Sequence, residues 1–243
     1  MSANNTIVIL AAGTGGHIYP ALEVATYLKQ NQCNILWIGT SIGLEQKLVK
    51  QSFPMFEIQM SGLRNKHFTQ KLKAVWQLVK STVQLVKLYR KEKPRAVIAF
   101  GGYISAPGGV AAYLAKVPLI IQEQNSKIGS ANKLLSVVAT KIFTGFPNVV
   151  ANALWSGNPI RQQLVANQHN IDVNDKKLRV LIIGGSQGAL FLNEMMPKVA
   201  NLLKQSNGIE IVHQSGQNHY LSTLSAYQNC AIQCEVKPYC DDI

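Results

Sequence analysis

Short runs of apolar, largely β-branched residues alternate along the chain with longer stretches whose apolar positions recur at helical spacing. The runs Ile7 to Leu10, Ile35 to Ile38, Ala96 to Phe100, Pro118 to Gln122 and Lys141 to Thr144 read as strands buried on both faces, as parallel strands are. Strands separated by helical segments predict βαβ units. From about Phe146 to Lys177 the pattern loosens around Pro147, Gly157-Asn158-Pro159 and the polar stretch Asn167 to Lys177, which reads as a connection between domains. A second unit follows, with strands at Leu178 to Ile183, Ile209 to His213 and about Ala231 to Val236, a helix running to about Lys204 and another helix before the third strand. The expectation is an α/β protein of two Rossmann-like domains, spanning 1–160 and 161–243. Three strands and two helices are about half of a doubly wound domain, so the second is expected to be incomplete.

Polar and glycine-rich corners follow several strands at their carboxyl ends, where open α/β sheets hold ligands. The first is Gly13-Thr14-Gly15-Gly16-His17, with a helix expected near Pro20. Backbone N–H groups and the positive helix end would converge there on an anion. It is not the dinucleotide fingerprint, because Ile18 stands where G-x-G-x-x-G needs its last glycine, and no Lys-Ser or Lys-Thr pair makes it a P-loop. A tight turn without a ligand is the alternative. The second corner, Gly101-Gly102-Tyr103 through Pro107-Gly108-Gly109, follows Phe100, and the third, Gly184-Gly185-Ser186-Gln187-Gly188-Ala189, opens the second unit's first helix. Three such corners suggest two phosphorylated ligands meeting in a cleft. Gln122-Glu123-Gln124-Asn125 ends the fourth strand, where a carboxylate between amides suits hydroxyl recognition or proton transfer, with a helix-capping cluster ahead of Gly129 as the alternative.

Composition narrows the partners. Twelve acids face 24 Lys and Arg, a formal charge of +12, which favours an anionic partner. From Arg64 to Arg95 there are ten basic residues and one acid, Glu92. Within that segment Leu72, Val75, Trp76, Val79, Val83 and Val86 share a helical face, with Leu78 and Leu85 beside it and Lys73, Lys80 and Lys87 along its border. Such a helix lies on an anionic bilayer or packs on a sheet with its lysines in water. Aromatics do not interleave with the lysines as a stacking platform requires, which argues against nucleic acid. No signal peptide precedes the first strand, and no apolar run reaches the roughly 20 residues that span a bilayer, so a cytoplasmic protein is expected. Cys33, Cys230, Cys234 and Cys240 lack zinc-ribbon spacing and read as reduced thiols.

Taken together, these corners with Asn132, Gly157-Asn158-Pro159-Ile160-Arg161, Asn193 and His213-Gln214-Ser215-Gly216 resemble the MurG family, whose two Rossmann-like domains form a GT-B glycosyltransferase. The resemblance implies transfer of N-acetylglucosamine from UDP-N-acetylglucosamine to the C4 hydroxyl of the muramyl sugar of lipid I, with inversion, to form lipid II at the cytoplasmic face of the bacterial inner membrane. It implies acceptor contacts at Gly13, Thr14, Gly15, Gly16, Gly101, Gly102, Tyr103 and Gln124. Donor contacts would come from Thr14, Gly15, Gly16, His17, Asn125, Arg161, Ser186, Gln187 and the backbone of Cys240. His17 is the first choice as catalytic base, with Glu123 as rival base or orienting partner. Neither cofactor nor metal is expected, since Asp241-Asp242 is not a spaced carboxylate pair and a helix start supplies positive field. Family motifs that grip the ribose and sugar would lie beyond Ile243, so weak or absent turnover is expected of this chain. The rivals are a non-catalytic fragment keeping only the acceptor site, a UDP-sugar epimerase and a lipid galactosyltransferase.

Overall fold

The computed structural model describes residues 5–60, 68–160, 177–203, 208–228, 230 and 232–240, with the backbone alone for 68–74. The chain divides into two compact units, Met1–Ala166 and Asn167–Ile243. In the first, strands β1 (Thr6–Leu10), β2 (Asn34–Gly39), β3 (Met55–Glu57), β4 (Ala96–Ala99), β5 (Leu119–Glu123), β6 (Lys141–Thr144) and β7 (Leu154–Trp155) form one sheet in the order β3-β2-β1-β4-β5-β6-β7. Every pair is parallel.

Alternation along β1 explains both layers. Ile7 and Ile9 face one side, where they pack with Trp37 and with Ile18, Ala21 and Ala25 of helix α1 (Gly15–Gln30), near the short α2 (Glu45–Leu48). Val8 and Leu10 face the other side, with Leu85 and Tyr89 of α3 (Phe68–Glu92), Ala111 and Ala112 of α4 (Ser105–Leu114) and Leu135 of α5 (Ser130–Leu135). Side chains of successive strand residues point to opposite faces, so a wholly apolar run needs helices on both. Strand order reverses between β1 and β4, the switch point where such sheets open a crevice.

Several boundaries differ from the sequence reading. Helix α1 starts at Gly15, more than a turn before Pro20, because the Thr14 carbonyl already accepts the His17 and Ile18 amides at 3.1 and 3.3 Å. Strands β3 and β7, of three and two residues, are too short to show periodicity and have no counterpart in the sequence pattern. The loosened region after Phe146 is not wholly a connection: β7 lies in it, and the Asn158 side-chain amide donates to the Gln124 carbonyl at 3.1 Å, tying Gly157-Asn158-Pro159 to the first unit. The stretch 161–176, with Arg161, lies outside the described residues.

Helix α3 settles how its apolar arc is used. Ser81, Leu85 and Tyr89, at spacings of four, are buried, and Leu78 and Val86 pack against the same core. Val75, Trp76, Val79 and Val83 stay exposed, Trp76 at 62%, with Lys80 5.1 Å from the Trp76 ring centroid and Lys87 exposed nearby. One edge of the arc is therefore core and the other is wet. The side chains of Leu72 and Lys73 lie outside the described residues.

The second unit has a three-stranded parallel sheet, order β10-β9-β8, from β8 (Leu178–Ile183), β9 (Ile209–Gln214) and β10 (Gln233–Lys237). Its core gathers Ile182, Ile211 and Val236 with Ala200 of α6 (Leu190–Leu202) and Tyr227 of α7 (Tyr220–Tyr227). His213 is fully buried, its Nδ1 2.9 Å from the Tyr227 hydroxyl, and burial pushes its imidazole below the ordinary range. It shapes the core of the second unit.

Candidate active site at the glycine corners

The β1 corner is built by Gly13, whose φ of +95° turns the chain into α1. No side chain caps that helix. Instead the Thr14 hydroxyl pairs with His17 Nδ1 at 3.0 Å, leaving the amides from Thr14 to Gly16 without a side-chain cap. Uncapped N–H groups at a helix start form an anion site. A cavity of about 380 Å3 opens here, lined by Gly15, Gly16, Tyr19, Gln124 and Asn158 among others, all within the first unit.

The β4 corner presses against the first. Gly101 and Gly102 hold φ of +98° and +78°, a region that L side chains rarely adopt. A Cβ at Gly101 would stand 2.9 Å from His17 Cδ2, and one at Gly102 would stand 2.8 Å from the Ala12 carbonyl oxygen. Glycine is required so that the two backbones and the imidazole can meet. Gly108 and Gly109 serve packing instead, since side chains there would run into Leu10 and Leu135. The Tyr103 ring lies over Gly13, and its hydroxyl reaches Thr40 Oγ1 at 3.3 Å. Burial pushes the phenol above its ordinary value, and the Glu45 charge adds to this.

The β5 corner is organised by one carboxylate. Glu123, 1% exposed, accepts the Asn125 backbone and side-chain amides on Oε1 at 3.0 and 2.8 Å. Its Oε2 accepts the Gly129 amide and the Asn132 side chain, both at 2.9 Å. The capping alternative is thus realised at Gly129, the residue before α5. With four donors on it, the carboxylate is engaged in holding the corner. The Asn132 side-chain nitrogen in turn stands 3.5 Å from where a Cβ on Gly101 would lie, so His17, Gly101, Asn132 and Glu123 form one cluster. Burial lowers the His17 pKa below 6.5, and the Glu123 charge acts in the opposite sense.

In the second unit, Gly188 and Gly216 touch: a side chain on Gly188 would collide with the Ser215 carbonyl, and one on Gly216 with the Gln187 carbonyl. Gln214 spans this corner, donating from Nε2 to the Gly185 carbonyl and accepting the Cys240 amide on Oε1, each at 2.9 Å. The Cys240 N–H is therefore engaged by the protein itself. Ser186 and Gln187 are exposed, and α6 begins beyond them at Leu190 with no side-chain cap at Ala189. Asp241 and Asp242 lie outside the described residues.

Known proteins resemble both parts of the chain. Residues 7–144 match the glycosyltransferase family 28 N-terminal domain and residues 179–243 its C-terminal domain. The UDP-N-acetylglucosamine--N-acetylmuramyl-(pentapeptide) pyrophosphoryl-undecaprenol N-acetylglucosamine transferase of Dechloromonas aromatica is 41% identical over 99% of this chain and 69% of its own length. The chain belongs to the MurG family. A crystal structure of MurG from Acinetobacter baumannii superposes with a TM-score of 0.75 at 35% identity, over 98% of this chain and 69% of that one. The kitacinnamycin glycosyltransferase, 12% identical with a TM-score of 0.70 over 99% of this chain and 72% of its own, shares the fold alone. The fold is thus of the GT-B glycosyltransferase type, with two Rossmann-like units.

The corners fall into two groups in this chain. Gly13 to His17, Gly101 to Tyr103 and Glu123 to Asn125 come together at neighbouring strand ends β1, β4 and β5, while Ser186, Gln187 and Cys240 flank the β9 corner of the second unit. The roles of three residues are not legible in the sequence. Thr40 follows β2 and Glu45 opens α2 without any motif, and their signal is an acid among neighbours that are mostly apolar or hydroxylated. Gln214 belongs to a motif, but its bridge to Cys240 joins residues 26 apart and has no local signature.

Proposed function

We propose that the protein transfers N-acetylglucosamine from UDP-N-acetylglucosamine to the C4 hydroxyl of the muramyl sugar of an undecaprenyl-pyrophosphoryl muramyl-peptide, with inversion to a β linkage. The observation that carries this is His17, on the uncapped start of α1, set against Gly101 of the neighbouring corner. In the tautomer whose Nδ1–H is donated to Thr14, Nε2 carries the lone pair that accepts a proton. As the C4 oxygen bonds to the sugar's anomeric carbon, its proton passes to His17 Nε2 and the bond to the UDP oxygen breaks, the electron pair leaving with the diphosphate. Glu123 orients this cluster through Asn132 and adds its field to the imidazolium that forms.

In this reading the amides from Thr14 to Gly16 receive the acceptor's pyrophosphate, aided by the Gly101 to Tyr103 corner and by Gln124 beside the cavity. Ser186, Gln187 and the start of α6 receive the donor's diphosphate, and the leaving charge is met by helix-start dipoles with no metal ion required. The exposed Val75, Trp76, Val79 and Val83, with Lys80 and Lys87, dock the first unit on anionic lipid at the cytoplasmic face of the inner membrane. No described helix is long and apolar enough to cross a membrane.

Transfer of radiolabelled sugar from UDP-N-acetylglucosamine to a soluble lipid I analogue, by this chain and by one continued past Ile243, tests the reaction. Label in a β-linked disaccharide glycolipid is expected from the longer protein. Consumption of the nucleotide sugar with label only in free sugar or its epimer would reject the proposal in favour of hydrolysis or epimerisation.

A further inference from the structure

Glu45 is the most deeply placed charge near the β1 corner and had no part in the reaction as written. Its residue is 0% exposed, and no Lys or Arg pairs with it among the described residues. A carboxylate held in that setting must be met by hydrogen-bond donors or it destabilises the fold. Three meet it: Thr40 donates from its backbone amide at 2.9 Å and from its hydroxyl at 2.7 Å, both to Oε1, and the Gly13 amide donates to Oε2 at 3.3 Å.

The direction of the remaining bond follows. Thr40 has a single hydroxyl hydrogen, and the 2.7 Å bond commits it to Glu45. The Tyr103 hydroxyl, 3.3 Å from Thr40 Oγ1, is therefore the donor, and Tyr103, Thr40 and Glu45 form a polarised chain ending on the carboxylate. The Tyr103 ring already lies over Gly13, where a Cβ would stand 3.4 Å from Cε1. One carboxylate thus holds the backbone of the first glycine corner and, through a threonine, the ring of the second.

We infer that Glu45 is a positioning residue for the acceptor: it turns the Gly13 N–H inward and pins Tyr103, so that the amides after Gly13, and not Gly13 itself, are presented to the acceptor's pyrophosphate. The inference rests on the reading of these corners as the acceptor site. It commits one N–H of the cradle to the protein and makes the tilt of Tyr103 depend on a side chain from a different strand end.

Three variants test it: Glu45→Gln, which places a donor group where both oxygens accept; Thr40→Val, which cuts the link to Tyr103 alone; and Thr40→Ser, which keeps the hydroxyl. For Glu45→Gln the acceptor KM is expected to rise about tenfold, as loss of a charge-assisted hydrogen bond allows, with the donor KM within about twofold of the parent. Thr40→Val should shift the acceptor KM in the same direction, and should add nothing further in a Tyr103→Phe background. Thr40→Ser should behave as the parent. Equal rises in both KM values, or Thr40→Ser indistinguishable from Thr40→Val, would overturn the inference. If Glu45→Gln fails to fold, the Thr40 pair still decides. Hydrogen exchange at the Gly13 amide and the NMR ring signals of Tyr103, read without substrate, separate this inference from the reaction. Faster Gly13 exchange in Glu45→Gln and shifted ring signals in Thr40→Val are expected. Unchanged exchange and ring signals overturn the inference even where sugar transfer is seen, whereas their change beside an absence of transfer in the protein continued past Ile243 counts against the reaction.

Discussion

The Glu123 carboxylate accepts the Asn132 side-chain amide at 2.9 Å, and that same amide nitrogen stands 3.5 Å from the point where a Cβ on Gly101 would lie, beside the His17 ring. A residue at the end of β5 therefore acts by its charge on the imidazole of α1, on the far side of the Gly101 corner. Glu123→Ala would strand the donors of Asn125, Gly129 and Asn132 together. We expect it to lower stability by about 3 kcal/mol or more, because each stranded buried donor costs on the order of 1–3 kcal/mol. Chemical denaturation of Glu123→Ala and Glu123→Gln checks this. An Ala variant as stable as the parent would mean that the carboxylate holds nothing.

Burial places the His17 pKa below 6.5, and this sets the sign of two pH effects. In folding, the unfolded chain binds the proton first, so the neutral imidazole's contribution is fully present above pH 6.5 and is lost as pH falls through the folded value. His213, also lowered by burial, acts in the same direction. In catalysis, the base stays unprotonated at neutral pH, so the acid limb of kcat/KM should fall below pH 6.5. His17→Ala should remove that limb and reduce turnover by a factor of about 10² or more. Near-normal turnover in the variant would exclude His17 as the base.

Gln214 joins the Gly185 carbonyl to the Cys240 amide, and Gln214→Leu keeps its volume while cutting both bonds. The donor KM is expected to rise about thirtyfold, in line with two lost hydrogen bonds near 1 kcal/mol each, while the acceptor KM stays put. Steady-state kinetics with each substrate varied in turn gives the answer. A matched change in both constants would point to general loosening.

The exposed edge of α3 gives a fourth test. Trp76→Ser together with Val79→Ser removes apolar area, and Lys80→Glu with Lys87→Glu reverses charge. Either pair should lower binding to vesicles containing anionic lipid by about tenfold or more, since each cation contributes about 1 kcal/mol at such a surface. Added salt should weaken the parent's binding and leave the charge-reversed protein little changed. Vesicle sedimentation that is insensitive to salt and to all four changes would refute docking through this edge.

Glycine corners were legible because their chemistry is local: Gly13, Gly101 and Gly102 need φ values that the neighbouring sequence already hints at, and each follows an apolar run. The helical arc of α3 was equally legible as an arc. Which edge of it meets water was not, because Leu85 and Tyr89 become core only once α3 lies over the sheet. The role of Glu123 shows the same limit. Its position at a strand end could be read, but the four donors that surround it come from Asn125, Gly129 and Asn132, and their convergence depends on how the chain enters α5.

Sequence alone determined the alternation of strands and helices, the α/β class, the corner positions and, through ordered motifs, the family, since each rests on residues close together in the chain. Tertiary structure alone decided that Ala12 abuts Gly102, that His17 lies against Gly101 and that Glu45 reaches Gly13. These contacts cross between strands whose order is set by the sheet, and hydrogen bonds and steric contacts act over a few ångströms of space with no regard to separation along the chain.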